Sequence, residues 1–163
     1  MIKILSSITL FWIIGILAAG CTTGPDIRKM PSPELQQLAA FVQEHKDDTT
    51  LPEGWHELDG DAIKNRFSGR FFKGYDTSRR GISYYYDILE DGRLRYGTGP
   101  YDMQNGTWWI EKSSWNMRSR GVTLKWFVLT DGTHLVMMRY FHNRRYFNIL
   151  VESRRFQGSQ TGE

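Results

Sequence analysis

Ile82-Ser83-Tyr84-Tyr85-Tyr86-Asp87-Ile88-Leu89-Glu90-Asp91-Gly92-Arg93-Leu94-Arg95-Tyr96 decides the fold class. Ile82, Tyr84, Tyr86 and Ile88 recur at every second position, the period of a strand with one buried face. Asp91-Gly92 follows, a dipeptide of tight hairpins, because glycine takes a positive φ at no steric cost. Leu94 and Tyr96 then begin the return strand. The segment reads as an antiparallel hairpin with its aromatic face turned inward.

The same grammar extends on both sides. Arg70 to Tyr75 reads as the preceding strand. A longer loop over Gly97 to Gly106 leads into Thr107 to Glu111, with Trp108 and Ile110 on one face. Lys112 and Ser113 turn the chain into Trp115 and Met117. Val122, Leu124, Trp126 and Val128 alternate against Thr123, Lys125 and Phe127. Asp131-Gly132 is a second hairpin turn, entering Leu135 to Tyr140. His142-Asn143-Arg144 is the last turn, before Phe147, Ile149 and Val151. About eight short strands joined by consecutive turns predict a mainly β chain. The expected architecture is a small antiparallel up-and-down β-barrel over residues 67–155, because closure removes exposed strand edges. An open, strongly bent sheet packed on helices is the alternative.

Residues 32–66 read as helical. Ser32 suits an N-cap, Pro33 the first helical position and Glu34 the positive end of the dipole. Leu35, Leu38, Ala39 and Val42 share a face, and His45 and Lys46 suit the C-terminal end. A second short helix is expected from Gly60 to about Arg66, capped by Asp59 or Asp61, with Ile63 and Phe67 on one face. Both helices are expected to lie against the sheet or across one end of a barrel. The polar tail at 156–163 is expected to be flexible.

The N-terminus carries a different message. Lys3 precedes an apolar run from Ile4 to Leu17, and Leu17-Ala18-Ala19-Gly20 leads to Cys21, the only cysteine. A charged start, an apolar stretch and small residues before a cleavage point make a secretory signal. The run is shorter than the roughly 20 apolar residues of a bilayer span. Residues 1–20 resemble the signal peptide of bacterial lipoproteins, whose lipobox ends in a cysteine that is acylated, with chains such as palmitate, and becomes the new N-terminus. The commonest lipobox has leucine where Ala18 stands. The resemblance implies a membrane anchor through lipid on Cys21, a tether over residues 21–31, and a place in the cell envelope. Thr22 after the cysteine implies the outer membrane, facing the periplasm. With Cys21 acylated, no thiol remains for a disulfide or a thiolate metal site.

Charge is unevenly divided. Residues 22–65 carry four Lys and Arg against nine acids, while residues 66–155 carry sixteen against eight. A basic domain can favour anionic partners, but export argues against nucleic acid. The arginines read as solvated strand residues, partly matched by the acidic N-terminal segment folding against them.

The chemistry motifs of hydrolases, nucleotide-binding loops and zinc proteases are missing. His45, His56, His134 and His142 show no metal-ligand spacing, and the paired acids fall in turns, where Asp serves the backbone. The expectation is no catalytic residue, no metal and no cofactor, hence no enzyme. Tyr84, Tyr86, Trp108 and Trp126 fall on inward faces. They fill the barrel interior as a core or line a pocket for an apolar or ring-bearing ligand. Arg79, Arg80, Tyr85, Trp109 and Phe127 are the candidate surface contacts for an envelope protein partner, aromatics and Arg being usual interface anchors.

Phe67-Ser68-Gly69-Arg70 after a short helix, the Tyr84-Tyr85-Tyr86 strand into Asp91-Gly92, and Gly106-Thr107-Trp108 together resemble small bacterial lipocalin-like, or calycin-like, envelope proteins. The resemblance covers the C-terminal two-thirds of the chain. It implies binding of a protein partner or small ligand rather than catalysis, and it transfers no site residue. Some calycin-like barrels inhibit secreted proteases, which makes a periplasmic protease inhibitor the alternative function.

Overall fold

The computed structural model describes residues 30–48, 50–78, 82–99 and 101–155. Ser32 caps α1 (Pro33–Glu44), its hydroxyl accepting from the Leu35 N–H at 3.2 Å. Asp59, not Asp61, caps α2 (Gly60–Phe67), its carboxylate accepting from the Ala62 N–H at 2.8 Å. Between them lies β1 (His56–Glu57), a two-residue strand that periodicity cannot reveal.

Eight strands follow: β2 (Phe71–Asp76), β3 (Ser83–Ile88), β4 (Arg93–Gly97), β5 (Gln104–Glu111), β6 (Ser114–Ser119), β7 (Val122–Thr130), β8 (Leu135–Phe141) and β9 (Arg144–Glu152). Each pairs antiparallel with the next, and β9 returns to β2, with Gly74 opposite Leu150. The sheet is therefore a closed eight-stranded antiparallel barrel, as the alternation predicts. β1 adds to the far end of β7, with His56 opposite Thr130, beyond the point where β6 leaves it.

Two hairpins close through residue pairs at positive φ: Arg120-Gly121 between β6 and β7, and His142-Asn143 between β8 and β9. Both central residues of a two-residue loop then match the right-handed twist of the strands.

Three local readings change. Ile82 precedes β3 and is exposed, so the inward row starts at Tyr84. Val122 likewise stands in solvent at the start of β7, and its row turns inward at Leu124. β5 begins three residues before Thr107. Gln104 and Asn105 pair with Tyr96 and Arg95, and a Cβ on Gly106 would lie 2.5 Å from the Arg118 carbonyl oxygen. Glycine is used there because the neighbouring backbone approaches closely; in sequence it reads as a loop residue.

The core divides in two. Inside the barrel, Phe72, Ile88, Leu94, Trp108, Trp115 and Val128 pack beneath α2, whose Ile63 and Phe67 are fully buried and stopper that end. Outside, α1 lays Leu38, Ala39 and Val42 on Leu129, Val136, Met138, Phe147 and Ile149. β8 is consequently buried on both faces from Leu135 to Met138. Continuous apolar runs of this kind mark strands covered on both sides.

Candidate functional site

Among the described residues, the end of the barrel opposite α2 is open. It is formed by the ends of β2, β4, β6 and β8 and the starts of β3, β5, β7 and β9. A cavity of about 200 Å3 enters there. Its walls are aromatic: Tyr84 and Tyr86 from β3, Tyr96 from β4, Trp126 from β7 and Tyr146 from β9. Met117 and Leu124 contribute apolar surface, and Asp76, Arg139 and Asn148 are its polar members.

Strand parity places these groups. Arg139 follows Leu135 and Met137 at two-residue steps, so it points into the barrel although it is charged. Asn148 occupies the same row of β9 as Leu150. Tyr86 lies against Gly74, where a Cβ would come within 2.8 Å of its ring. The missing side chain on β2 thus makes room for the tyrosine, which stacks with Tyr96 at 6.2 Å and meets Trp115 edge-on at 5.9 Å. Burial, and the nearby Tyr84 and Asp76, push the Tyr86 hydroxyl far above its ordinary pKa, with Arg139 opposing the shift. Tyr86 is therefore a neutral hydroxyl.

The polar groups are incompletely matched. Asn148 Nδ2 donates a long hydrogen bond to Tyr86 Oη at 3.4 Å, while Asn148 Oδ1 is buried without a partner. Trp126 Nε1 and Arg139 Nε are likewise buried and unpaired. Native interiors satisfy nearly all such atoms, yet among the described residues three of the four belong to side chains that line one cavity, and the fourth, Trp115 Nε1, belongs to a residue outside its lining. The Arg139 guanidinium is held instead by rings, 5.1 Å from Trp126, 5.4 Å from Tyr146 and 5.7 Å from Phe141.

Of the four inward aromatics read from sequence, Tyr84, Tyr86 and Trp126 meet at the cavity. Trp108 is buried toward the stoppered end, where its indole N–H donates to the Leu89 carbonyl at 2.8 Å. The interior is thus neither wholly filled nor wholly hollow: α2 and large side chains fill one end, and the other is a pocket. Tyr96, Arg139, Tyr146 and Asn148 were missed. Arg139 interrupts the otherwise apolar row of Leu135, Met137 and Phe141, and that break in the alternation is the signal that could have found it; Asn148 shares its row with Arg144 and Glu152, so no such signal marks it.

The expected contact residues fall in different places. Arg79 and Arg80 lie outside the described residues, as does Cys21. Trp109 is exposed on β5. Tyr85 is half-buried on the outside of β3, in contact with Phe71 and Lys73. Phe127 is not an exposed contact: it packs against the cluster under α1 and meets Tyr140 edge-on. The ion pairs Arg70–Glu152 and Arg155–Asp87 lie within the barrel segment. Glu34 does cross from α1, to His134.

Fold and pocket together define a class: a small closed barrel, stoppered at one end and open to a pocket at the other, consistent with a lipocalin-like fold. No protein-family model matches the chain, and no curated protein or solved structure matches it either.

Proposed function

We propose that this protein is a lipid-anchored component of a bacterial envelope that binds a small ligand in the open end of its barrel and performs no chemistry on it. The aromatic pocket with three unpaired buried polar atoms carries the reading. Pockets that bind small molecules combine apolar and aromatic walls with a few convergent polar groups, and here the unmatched atoms supply the second element. The lipobox-like run ending at Cys21 supports the anchor, and Thr22 supports the outer membrane. The protease-inhibitor alternative is weakened because α1 is fastened by its apolar face to β7, β8 and β9 rather than free to enter a cleft.

Two measurements test the reading. Bacteria fed an alkyne analogue of palmitate should label the wild-type protein and leave Cys21→Ala unlabelled and released from membranes. Equal labelling, or membrane retention of the variant, removes the anchor. Native mass spectrometry of the purified protein, with Met117→Trp filling the pocket, tests the ligand. A small molecule that copurifies with wild type and is lost from the variant supports binding; one held equally by both places it elsewhere.

A further inference from the structure

We infer that the open end of the barrel receives a small planar aromatic acid, its ring against the tyrosine wall and its carboxylate on Arg139 and the Trp126 indole N–H. The inference rests on the small-ligand reading above and adds the chemistry of the ligand.

The pocket has a surplus of donors. Arg139 Nε–H and Trp126 Nε1–H are both buried and have no acceptor among the described residues. Trp126 is almost wholly buried, so the bulk of its indole is removed from solvent. Arg139 makes no ion pair within 4.0 Å among the described residues. Ring faces hold its guanidinium in place, and such contacts use the π-cloud while leaving the N–H groups uncommitted. A partly desolvated cation without a counter-ion favours an anion, and a planar guanidinium matches a planar carboxylate.

The surroundings favour the same sign. Arg144 lies on the Tyr146 and Asn148 row at the lip, and Arg120 lies in the turn between β6 and β7 at the same end. The opposing groups are Asp76 and Asp102. Asp76 Oδ1 accepts from both the N–H and the hydroxyl of Ser78, at 2.8 and 2.6 Å, and is engaged in its own turn. Asp102 is exposed and binds Thr98 and Gly99 in the loop between β4 and β5.

Shape selects a single ring over a long chain. The volume of about 200 Å3 falls below the roughly 300–1,000 Å3 of sites for drug-sized ligands. Beneath it Trp115 and Phe67 are fully buried and in edge contact at 5.5 Å, so an acyl tail has no channel to follow. Tyr86 and Tyr96 are inclined by only 19°, so a planar ring can align with the same stack. Asn148 Oδ1, an acceptor lacking a donor, suits a hydroxyl or amine on the ring.

The test is calorimetric titration of the detergent-purified full chain with 4-hydroxybenzoate and with its neutral amide, 4-hydroxybenzamide. The Trp126 indole N–H is followed by nitrogen-15 NMR and assigned with Trp126→Phe. The acid should bind at least about tenfold tighter than the amide, the scale of a hydrogen bond to a charged group. Arg139→Gln should erase that preference while still binding the amide, and Asp76→Asn should tighten the acid. The Trp126 N–H should shift with the acid. Equal affinity of acid and amide for wild type, which needs no variant to fold, overturns the anion assignment and leaves the pocket reading standing. A preference that survives in a folded Arg139→Gln does the same. Binding of neither probe, with the Trp126 signal unmoved, overturns both.

Discussion

His134 shows how one side chain can join two elements that lie far apart in the chain. Its Nδ1 meets Asp131 Oδ2 at 2.8 Å and its Nε2 meets Glu34 Oε1 at 3.1 Å, so a ring protonated at both nitrogens donates to a carboxylate from each. Burial pulls its pKa down, but the bonds to Asp131 and Glu34 outweigh it and leave the imidazole above its usual value. Burial also acts to raise Asp131, yet the His134 and Thr133 N–H groups and the imidazole hold it at about 2. A raised histidine stabilises the fold fully below its unfolded pKa, about 6.5, and loses that effect as pH rises through the folded value. A depressed aspartate stabilises above about 4 and loses the effect as pH falls through its folded value. The clasp is therefore strongest between about pH 4 and 6.5. His134→Gln should lower the Tm by about 2–4 °C in that window, with the difference shrinking by pH 8.5. A difference that does not change with pH in thermal melts would remove the charge from the account.

At the scale of elements, α2 is a stopper. Asp59 starts it, Ile63 and Phe67 descend one turn apart into the barrel, and the Arg70 N–H bonds the Phe67 carbonyl as the chain enters β2. Gly60 lets the helix begin against β5, because a Cβ there would lie 2.4 Å from the Lys112 carbonyl oxygen. Phe67 touches Phe72 at 5.2 Å and Trp115 at 5.5 Å. Phe67→Ala should cost about 3–5 kcal/mol, the range for a buried phenylalanine that leaves a cavity, read from urea unfolding. A loss below about 1 kcal/mol would mean that the barrel end collapses onto the gap. The helix was legible from Asp59, Ile63 and Phe67, but periodicity alone left open whether it lay on the sheet or across the barrel end.

For the whole molecule, α1 covers what would otherwise be an apolar strip on a closed barrel. The strands carry their own ladder, with β9 returning to β2, so closure does not pass through the helix. A chain beginning at residue 50 should keep far-UV and near-UV signatures of a folded barrel and self-associate through Leu129, Val136, Met138, Phe147 and Ile149. Size-exclusion chromatography with circular dichroism checks this. Loss of near-UV signal would show that the helix is needed for the barrel itself, and a monomer would show that the strip tolerates water.

The meander from β2 to β9 and its Asp-Gly hairpin turns were determined by the sequence alone. Tyr84, Tyr86 and Ile88 alternate, Asp91-Gly92 and Asp131-Gly132 turn, and Ser32 and Asp59 cap, all through interactions within a few residues of chain. Where local signals were silent or misleading, a distant partner was responsible. Gly106 belongs to a strand because Arg118 lies beside it, β1 exists because β7 offers an edge, and Phe127 is covered by the cluster under α1. The pocket was decided by tertiary structure for the same reason. Tyr86, Trp126, Arg139 and Asn148 come from four strands, and only closure of the barrel brings them together. Whether an inward aromatic fills a core or lines a cavity depends on what stands opposite it. Here α2 occupies one end, and among the described residues no element descends into the other.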